Sequence, residues 1–199
     1  MFLKKTYKYI QLILILLLLT SGNLYSKDLS EKERLNILNY ISIIKEFASN
    51  FVQSDGKTLE EGSLFIKNKR IRIQYTKPKN IRIIIAENKA MYYNEDLQEV
   101  EFFSPKKSIA EHFYNIFYDI NFFDESIITK NEGQLIIENN FFVDDEKIKL
   151  RIFFEDSPFL IRKLEIYQNN SFINFSIINP NFNPNLDDDF FRMTDPTLK

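Results

Sequence analysis

The strongest constraint on this chain is a period of two. Arg70-Ile71-Arg72-Ile73-Gln74-Tyr75 alternates polar with apolar side chains, and Ile81, Ile83 and Ile85 repeat the pattern after the break at Lys77-Pro78. Successive side chains of an extended strand point to opposite faces, so each such run offers one face to a core and one to water. Phe47, Ser49, Phe51 and Gln53 alternate in the same way with Ala48, Asn50 and Val52. Leu64 and Ile66 share a face, Met91–Tyr93 forms a short run, and Val100 and Phe102 share a face within Leu97–Phe103. Four further strands are expected at Gln134–Asn139, Lys147–Phe154, Leu160–Tyr167 and Ser171–Ile178. Turn-formers such as Asp55-Gly56, Asn94-Glu95-Asp96, Asp144-Asp145 and Gln168-Asn169-Asn170 separate them. Strand and turn in succession predict an antiparallel meander.

Two helices interrupt the meander. Ser30-Glu31-Lys32-Glu33 is a capping box, and Leu35, Leu38, Ile41 and Ile44 follow at helical spacing with Ile37 beside them, which predicts a helix over 30–45. A second is expected over 104–118, with Pro105 at the first helical position and Ile109, Phe113, Ile116 and Phe117 as its apolar stripe. The stretches 122–128 and 179–185 carry no period. A sheet with one apolar face must curl on itself or be covered. The expected fold is therefore α+β: an incomplete, half-open antiparallel β-barrel of about ten to eleven strands, with helices covering its mouth and an aromatic and aliphatic concave face.

The first 26 residues are read separately. Lys4, Lys5 and Lys8 precede an apolar run from Ile10 to Leu19 and the small polar stretch Thr20-Ser21-Gly22, the order of a secretory signal peptide. The run is short for a bilayer span of about 20 apolar residues. Cleavage is expected after Ser26, where charged chain begins, with Gly22 the other candidate and an uncleaved anchor the alternative. Residues 27–199 then form one domain outside the cytoplasmic membrane, in the periplasm, without access to ATP.

Composition removes several function classes. With no cysteine there is no disulfide, no thiolate nucleophile, no Cys-based metal site and no site for a lipid anchor. A net charge of −2, more negative once the three signal lysines are gone, does not suit nucleic acid as a partner. The one histidine, His112, sits beside an apolar helical stripe, and no H-E-x-x-H, G-x-S-x-G or phosphate-loop motif is present. Asp187–Asp189 lacks the glycine and distal glutamate of a calcium loop. Carboxylate pairs such as Glu60-Glu61 and Glu155-Asp156 are expected by chance among 28 acidic residues. No catalytic residue, metal or cofactor is therefore expected. What remains is binding, and 20 Phe with 10 Tyr make the implied surface apolar.

The order of the segments resembles the LolA-like periplasmic carriers of outer-membrane lipoproteins. Phe47-Ala48-Ser49-Asn50-Phe51-Val52-Gln53 is similar to that family's F-x-A/S-x-F-x-Q strand, and Gly62-Ser63-Leu64-Phe65-Ile66-Lys67 to its G-x-L-x-L-K strand. Arg70–Tyr75, Pro78, Tyr92-Tyr93-Asn94 with Gln98-Glu99-Val100, and the ending Phe182 to Asp195-Pro196 follow in the family's order. The resemblance departs at Lys67-Asn68-Lys69, where the family has Arg-Pro and an arginine that helps hold the helical lid; Lys69 or Arg70 is the candidate substitute.

The resemblance implies a chaperone that binds acyl chains of lipid-modified proteins and moves them from the inner to the outer membrane. An inner-membrane lipoprotein-releasing ABC transporter is the implied donor, with an outer-membrane acceptor, and the carrier acts as a monomer. The alternation assigns the acyl-chain cavity to Phe47, Phe51, Leu64, Ile66, Ile73, Tyr75, Ile83, Met91, Tyr93, Phe102, Phe113 and Phe117. The other reading is a lipid-sensing or interaction module of the cell envelope on the same fold.

Overall fold

The computed structural model describes residues 29–198, so the expected signal peptide lies outside the described residues. Within them, eleven strands form one antiparallel sheet: β1 (Glu46–Ser54), β2 (Leu59–Lys67), β3 (Arg70–Lys77), β4 (Ile81–Ala86), β5 (Ala90–Asn94), β6 (Glu99–Phe103), β7 (Ile127–Asn131), β8 (Gln134–Val143), β9 (Glu146–Asp156), β10 (Phe159–Gln168) and β11 (Ser171–Asn181). Helix α1 (Glu31–Ile43) precedes β1, and helix α2 (Ile109–Tyr118) joins the two halves of the sheet. The spatial order is β6-β5-β4-β3-β2-β1-β11-β10-β9-β8-β7. Strand β11 closes back beside β1, whereas β6 and β7 remain free edges among the described residues, so the barrel is half open.

Tight turns set the register. Asn68-Lys69 and Asp144-Asp145 both hold positive φ at each position, the geometry whose twist suits a two-residue hairpin. Register then decides which side chains share the concave face. Phe47 pairs with Ile66, Ser49 with Leu64, Ile66 with Ile71 and Ile71 with Ile85. Those apolar residues join Leu150, Ile152 and Phe154 of β9 in one core, capped by Ile37, Tyr40 and Ile44 of the first helical segment and by Ile116 and Phe117 of α2.

The convex face is not uniform. Over β8–β10 it is largely polar around the buried pair Ile136 and Phe153, with Glu165 held by Arg151 at 2.9 Å, Lys163 at 2.7 Å and Tyr167 at 3.0 Å. Burial of Glu165 opposes its ionisation, but the Lys163 and Tyr167 hydrogen bonds and the nearby Arg151 charge outweigh it and hold the carboxyl below the usual range. Over β4–β6 the convex face carries an apolar patch of Ile84, Met91, Tyr93 and Val100, beside Arg72 and Gln74 of β3 and Arg82 of β4, and the C-terminal segment crosses it. There Phe190 meets Phe65 edge-on at 4.8 Å, and Met193 packs on a small cluster of Ile84, Met91 and Tyr93.

Helix α1 buries Ile37, Tyr40 and Ile44, while Leu35 and Leu38 are 57% and 42% exposed. The expected stripe is thus rotated. Positions 37, 40, 41 and 44 follow i, i+3, i+4, i+7 spacing, whereas 35, 38, 41 and 44 advance in steps of three, and the sheet takes the set containing the Tyr40 ring, which packs edge-on against Phe154 at 5.8 Å. Helix α2 starts at Ile109, later than expected, because Ser108 caps it; Pro105 lies in the preceding turn and its carbonyl accepts from the Ser108 hydroxyl at 2.6 Å. The aperiodic stretch 122–128 contains the start of β7, and β11 runs to Asn181.

Candidate functional site

Between the sheet and α2 lies a partly open cavity of about 280 Å³. Strands β3 and β4 supply Ile73, Tyr75, Ile83 and Ile85; β10 and β11 supply Leu164, Ile166, Ile173 and Phe175. The first turns of α2 close it with Ile109, Ala110 and Phe113, and Phe103 and Gln53 complete the wall. Period-two alternation on the strands and a 109/113 spacing on the helix aim all of these inward. The volume sits near the lower end of the range for small-molecule sites, roughly 300–1,000 Å³. It equals roughly nine waters at about 30 Å³ each, and a methylene is of similar size.

Polar groups are few and are paired. The Tyr75 hydroxyl donates to Gln53 Oε1 at 2.9 Å, and Gln53 Nε2 donates to Glu60 Oε2 at 2.6 Å. Burial, reinforced by the Glu60 charge, pushes the Tyr75 phenol well above its usual range against the Gln53 hydrogen bond, so it stays neutral. Below the cavity the Phe51 ring is stacked on Phe175 at 4.4 Å and meets Tyr75 edge-on at 5.0 Å. Phe113 of α2 meets Phe175 edge-on at 5.8 Å. Such offset and edge-on pairs give a firm apolar floor that asks no hydrogen bond of a ligand.

Of the residues assigned from the sequence, Ile73, Tyr75, Ile83 and Phe113 line the cavity. Phe47, Phe51, Leu64, Ile66 and Phe117 share its face but are buried in the core around it. Met91, Tyr93 and Phe102 lie on the convex face instead. Ile84 pairs with Met91, and Met91 with Phe102, whereas the cavity residue Ile85 pairs with Ala90, and Ala90 with Phe103. One residue of slip moves a strand's whole set across the sheet. The assignment lacked Gln53, Ile85, Phe103, Ile109 and Ala110, and also Leu164, Ile166, Ile173 and Phe175, for which the alternating runs at 164–166 and 173–175 carried the signal. Lys69 and Arg70 are exposed in the β2–β3 hairpin, and the tie to the helix is made by backbone: the Tyr118 hydroxyl donates to the Arg70 carbonyl at 3.2 Å.

Helix α1 is fastened at its N-terminus. The Ser30 hydroxyl accepts from the Glu33 backbone N–H while Glu33 accepts from the Ser30 N–H at 2.9 Å, and Lys130 of β7 reaches Glu33 at 2.7 Å. Partial burial works against the Glu33 charge, yet the Lys130 and Ser30 hydrogen bonds prevail and lower its pKa to about 2. Arg34 pairs with Asp124 beyond α2. Among the described residues no group of three or more His, Asp or Glu could hold a metal ion, and no helix is long and apolar enough to cross a membrane.

A half-open barrel with a largely apolar cavity under an amphipathic helix defines a binding or carrier architecture. The sequence profile of the outer membrane lipoprotein carrier protein LolA matches residues 42–194, and the chain belongs to that family. It is 27% identical over 164 residues to the uncharacterized protein RP864 of Rickettsia prowazekii (strain Madrid E), covering 80% of this chain and 76% of that one. An uncharacterized conserved protein from Thermus thermophilus has the same fold, with a TM-score of 0.52 at 7% identity over 79% of this chain and 91% of its own. The Pseudomonas aeruginosa MucA/MucB complex aligns with a TM-score of 0.43 at 10% identity, over 81% of this chain and 61% of that chain.

Proposed function

We propose that this protein is an exported carrier that holds the acyl chains of lipid-modified proteins under α2 and transfers them from the inner to the outer membrane. The observation that carries the reading is the cavity itself: apolar on every wall, with its two polar groups bonded to each other. Each methylene that leaves water for such a wall gains about 0.8 kcal/mol. In the closed state the cavity holds about one short run of methylenes, so loading requires α2 to lift from the sheet. Closure then opposes binding by the free energy of lifting, which keeps the complex releasable without ATP. Membership of the family supports the carrier part of this reading; the periplasmic location rests on the signal-like order of the first 26 residues, and an ABC transporter as donor with an outer-membrane acceptor completes the proposal.

Native mass spectrometry of the protein from a periplasmic extract, without detergent, tests the proposal. A bound lipoprotein or lipid mass is expected, and a strain depleted of the protein is expected to retain lipoproteins in its inner membrane. A persistent apo mass after incubation with lipoprotein would overturn the carrier reading. Bound lipid with normal delivery in the depleted strain would point to an envelope lipid sensor.

A further inference from the structure

A second pocket, of about 460 Å³, lies on the other side of α2 from the apolar cavity, against β8. Its lining is polar where the cavity is not: Asn115, Asn121, Asn139 and Asn140, with the carboxylates of Asp124 and Glu125 at its edge. His112 and Phe141 form its inner wall, their rings stacked with centroids 3.4 Å apart. Behind that stack is a gap of about 10 Å³ lined by Ile109, Phe113 and Ile166, which line the apolar cavity as well. The two spaces are thus separated by one aromatic partition. His112 Nδ1 is buried and has no hydrogen-bond partner among the described residues. A buried polar atom left unpaired is costly, and the movement of α2 that loading requires would let a ligand reach it and recover that cost.

We propose that this pocket is a head-group subsite, which receives the glyceryl-cysteine head and the first peptide units of an acylated polypeptide whose chains occupy the apolar cavity. The inference rests on the carrier reading. Asn139 is already bonded to Ser126 and to the Phe122 carbonyl, and Asn140 extends from the other face of β8, so the side chains of Asn115 and Asn121 are the ones that offer a ligand both a donor and an acceptor, as peptide amides and glyceryl esters require. Burial holds the His112 imidazole below its ordinary pKa against the opposing Glu111 charge, so it faces the pocket uncharged. The lining holds no Lys or Arg among the described residues, and Arg34 at its edge is already paired with Asp124. Two carboxylates without a lysine or arginine in the wall disfavour a phosphate. The subsite therefore selects lipidated peptide over anionic phospholipid of the same chain length, a choice that the apolar cavity alone cannot make.

The test uses three probes on the purified protein: diphenylhexatriene, which has no head group, a synthetic triacylated lipopeptide with a serine-rich tail, and phosphatidylglycerol of matching chains. His112→Phe keeps the stack and deletes the nitrogens. It is expected to weaken lipopeptide binding about tenfold and leave diphenylhexatriene unchanged. A double variant of two exposed residues, Glu125→Lys with Asn140→Lys, is expected to raise phosphatidylglycerol affinity relative to lipopeptide. Equal effects on all three probes, or none, overturn the subsite while leaving the carrier reading intact. Failure of the wild type to bind any of the three overturns the carrier reading itself.

Discussion

Gly62 shows how a single hydrogen atom shapes this concave face. It pairs with Phe51 across β1 and β2, beside an irregularity in the β2–β3 ladder. A Cβ built there lies 2.3 Å from the Gln74 carbonyl oxygen and 2.6 Å from Phe51 Cζ. The backbone contact cannot be relieved by a rotamer change. Gly62→Ala is expected to destabilise by about 3 kcal/mol, the range of a forced shift in a packed core, read as a lower urea midpoint with the slope unchanged. At Tyr75 the expectation is smaller. Tyr75→Phe loses one hydrogen bond to Gln53, worth about 1 kcal/mol, and leaves Gln53 as the polar group of the cavity wall, so diphenylhexatriene binding is expected to hold. Tyr75 was legible in its alternating run, and Gly62 only as a member of the strand that resembles the family's. Their neighbours were not, because a period gives the face of a residue but not the ring that lies across from it.

At the scale of elements, helix α1 depends on its first turn for both its cap and its tie to β7. In the unfolded chain Glu33 titrates near 4.5, and in the folded protein near 2. A carboxylate with a depressed folded-state pKa stabilises fully above its unfolded value, and loses that contribution as pH falls through 4.5 towards 2. Hydrogen-exchange protection factors of amides 31–43, corrected for intrinsic exchange, are therefore expected to fall selectively between about pH 5 and 2, while the sheet amides stay protected. Ser30→Ala is expected to cost about 1 kcal/mol and to produce the same local loosening at neutral pH. The capping box was fully legible, since its two residues are three apart in sequence. The buried face of α1 was not, because two overlapping stripes satisfy helical spacing and only the shape of the sheet chooses between them. Strands β5 and β6 failed for the same kind of reason. Ala90-Met91-Tyr92-Tyr93 is apolar on both faces, and either register reads as a strand.

For the molecule as a whole, the half-open sheet has two faces to cover, and the meander pattern revealed only one of the covers. Ten of the eleven strands and the concave core followed from period two and the turns, whereas β7 starts inside a stretch that carries no period. The convex cover did not, because the stretch after 179 has no period and its contacts span more than a hundred residues. Arg72 shows how much depends on it. Its guanidinium lies 3.7 Å from the Phe190 ring centroid and donates to the Phe190 carbonyl at 2.7 Å. Lys67 reaches the Leu186 carbonyl at 2.5 Å and Asp188 at 3.3 Å. Phe191 is buried and Met193 covers Ile84 and Met91. Phe191→Ala is expected to cost about 3–5 kcal/mol, as for a buried ring deleted from a core. Truncation after Asp187 is expected to do more: it bares an apolar sheet face beside the free edge of β6, the surface on which strands of separate molecules pair. The expected outcome is concentration-dependent association in analytical ultracentrifugation, together with a lower melting temperature. A truncated protein that stays monomeric and melts like the full chain would show that the convex face needs no cover, and that the concave core alone holds the sheet.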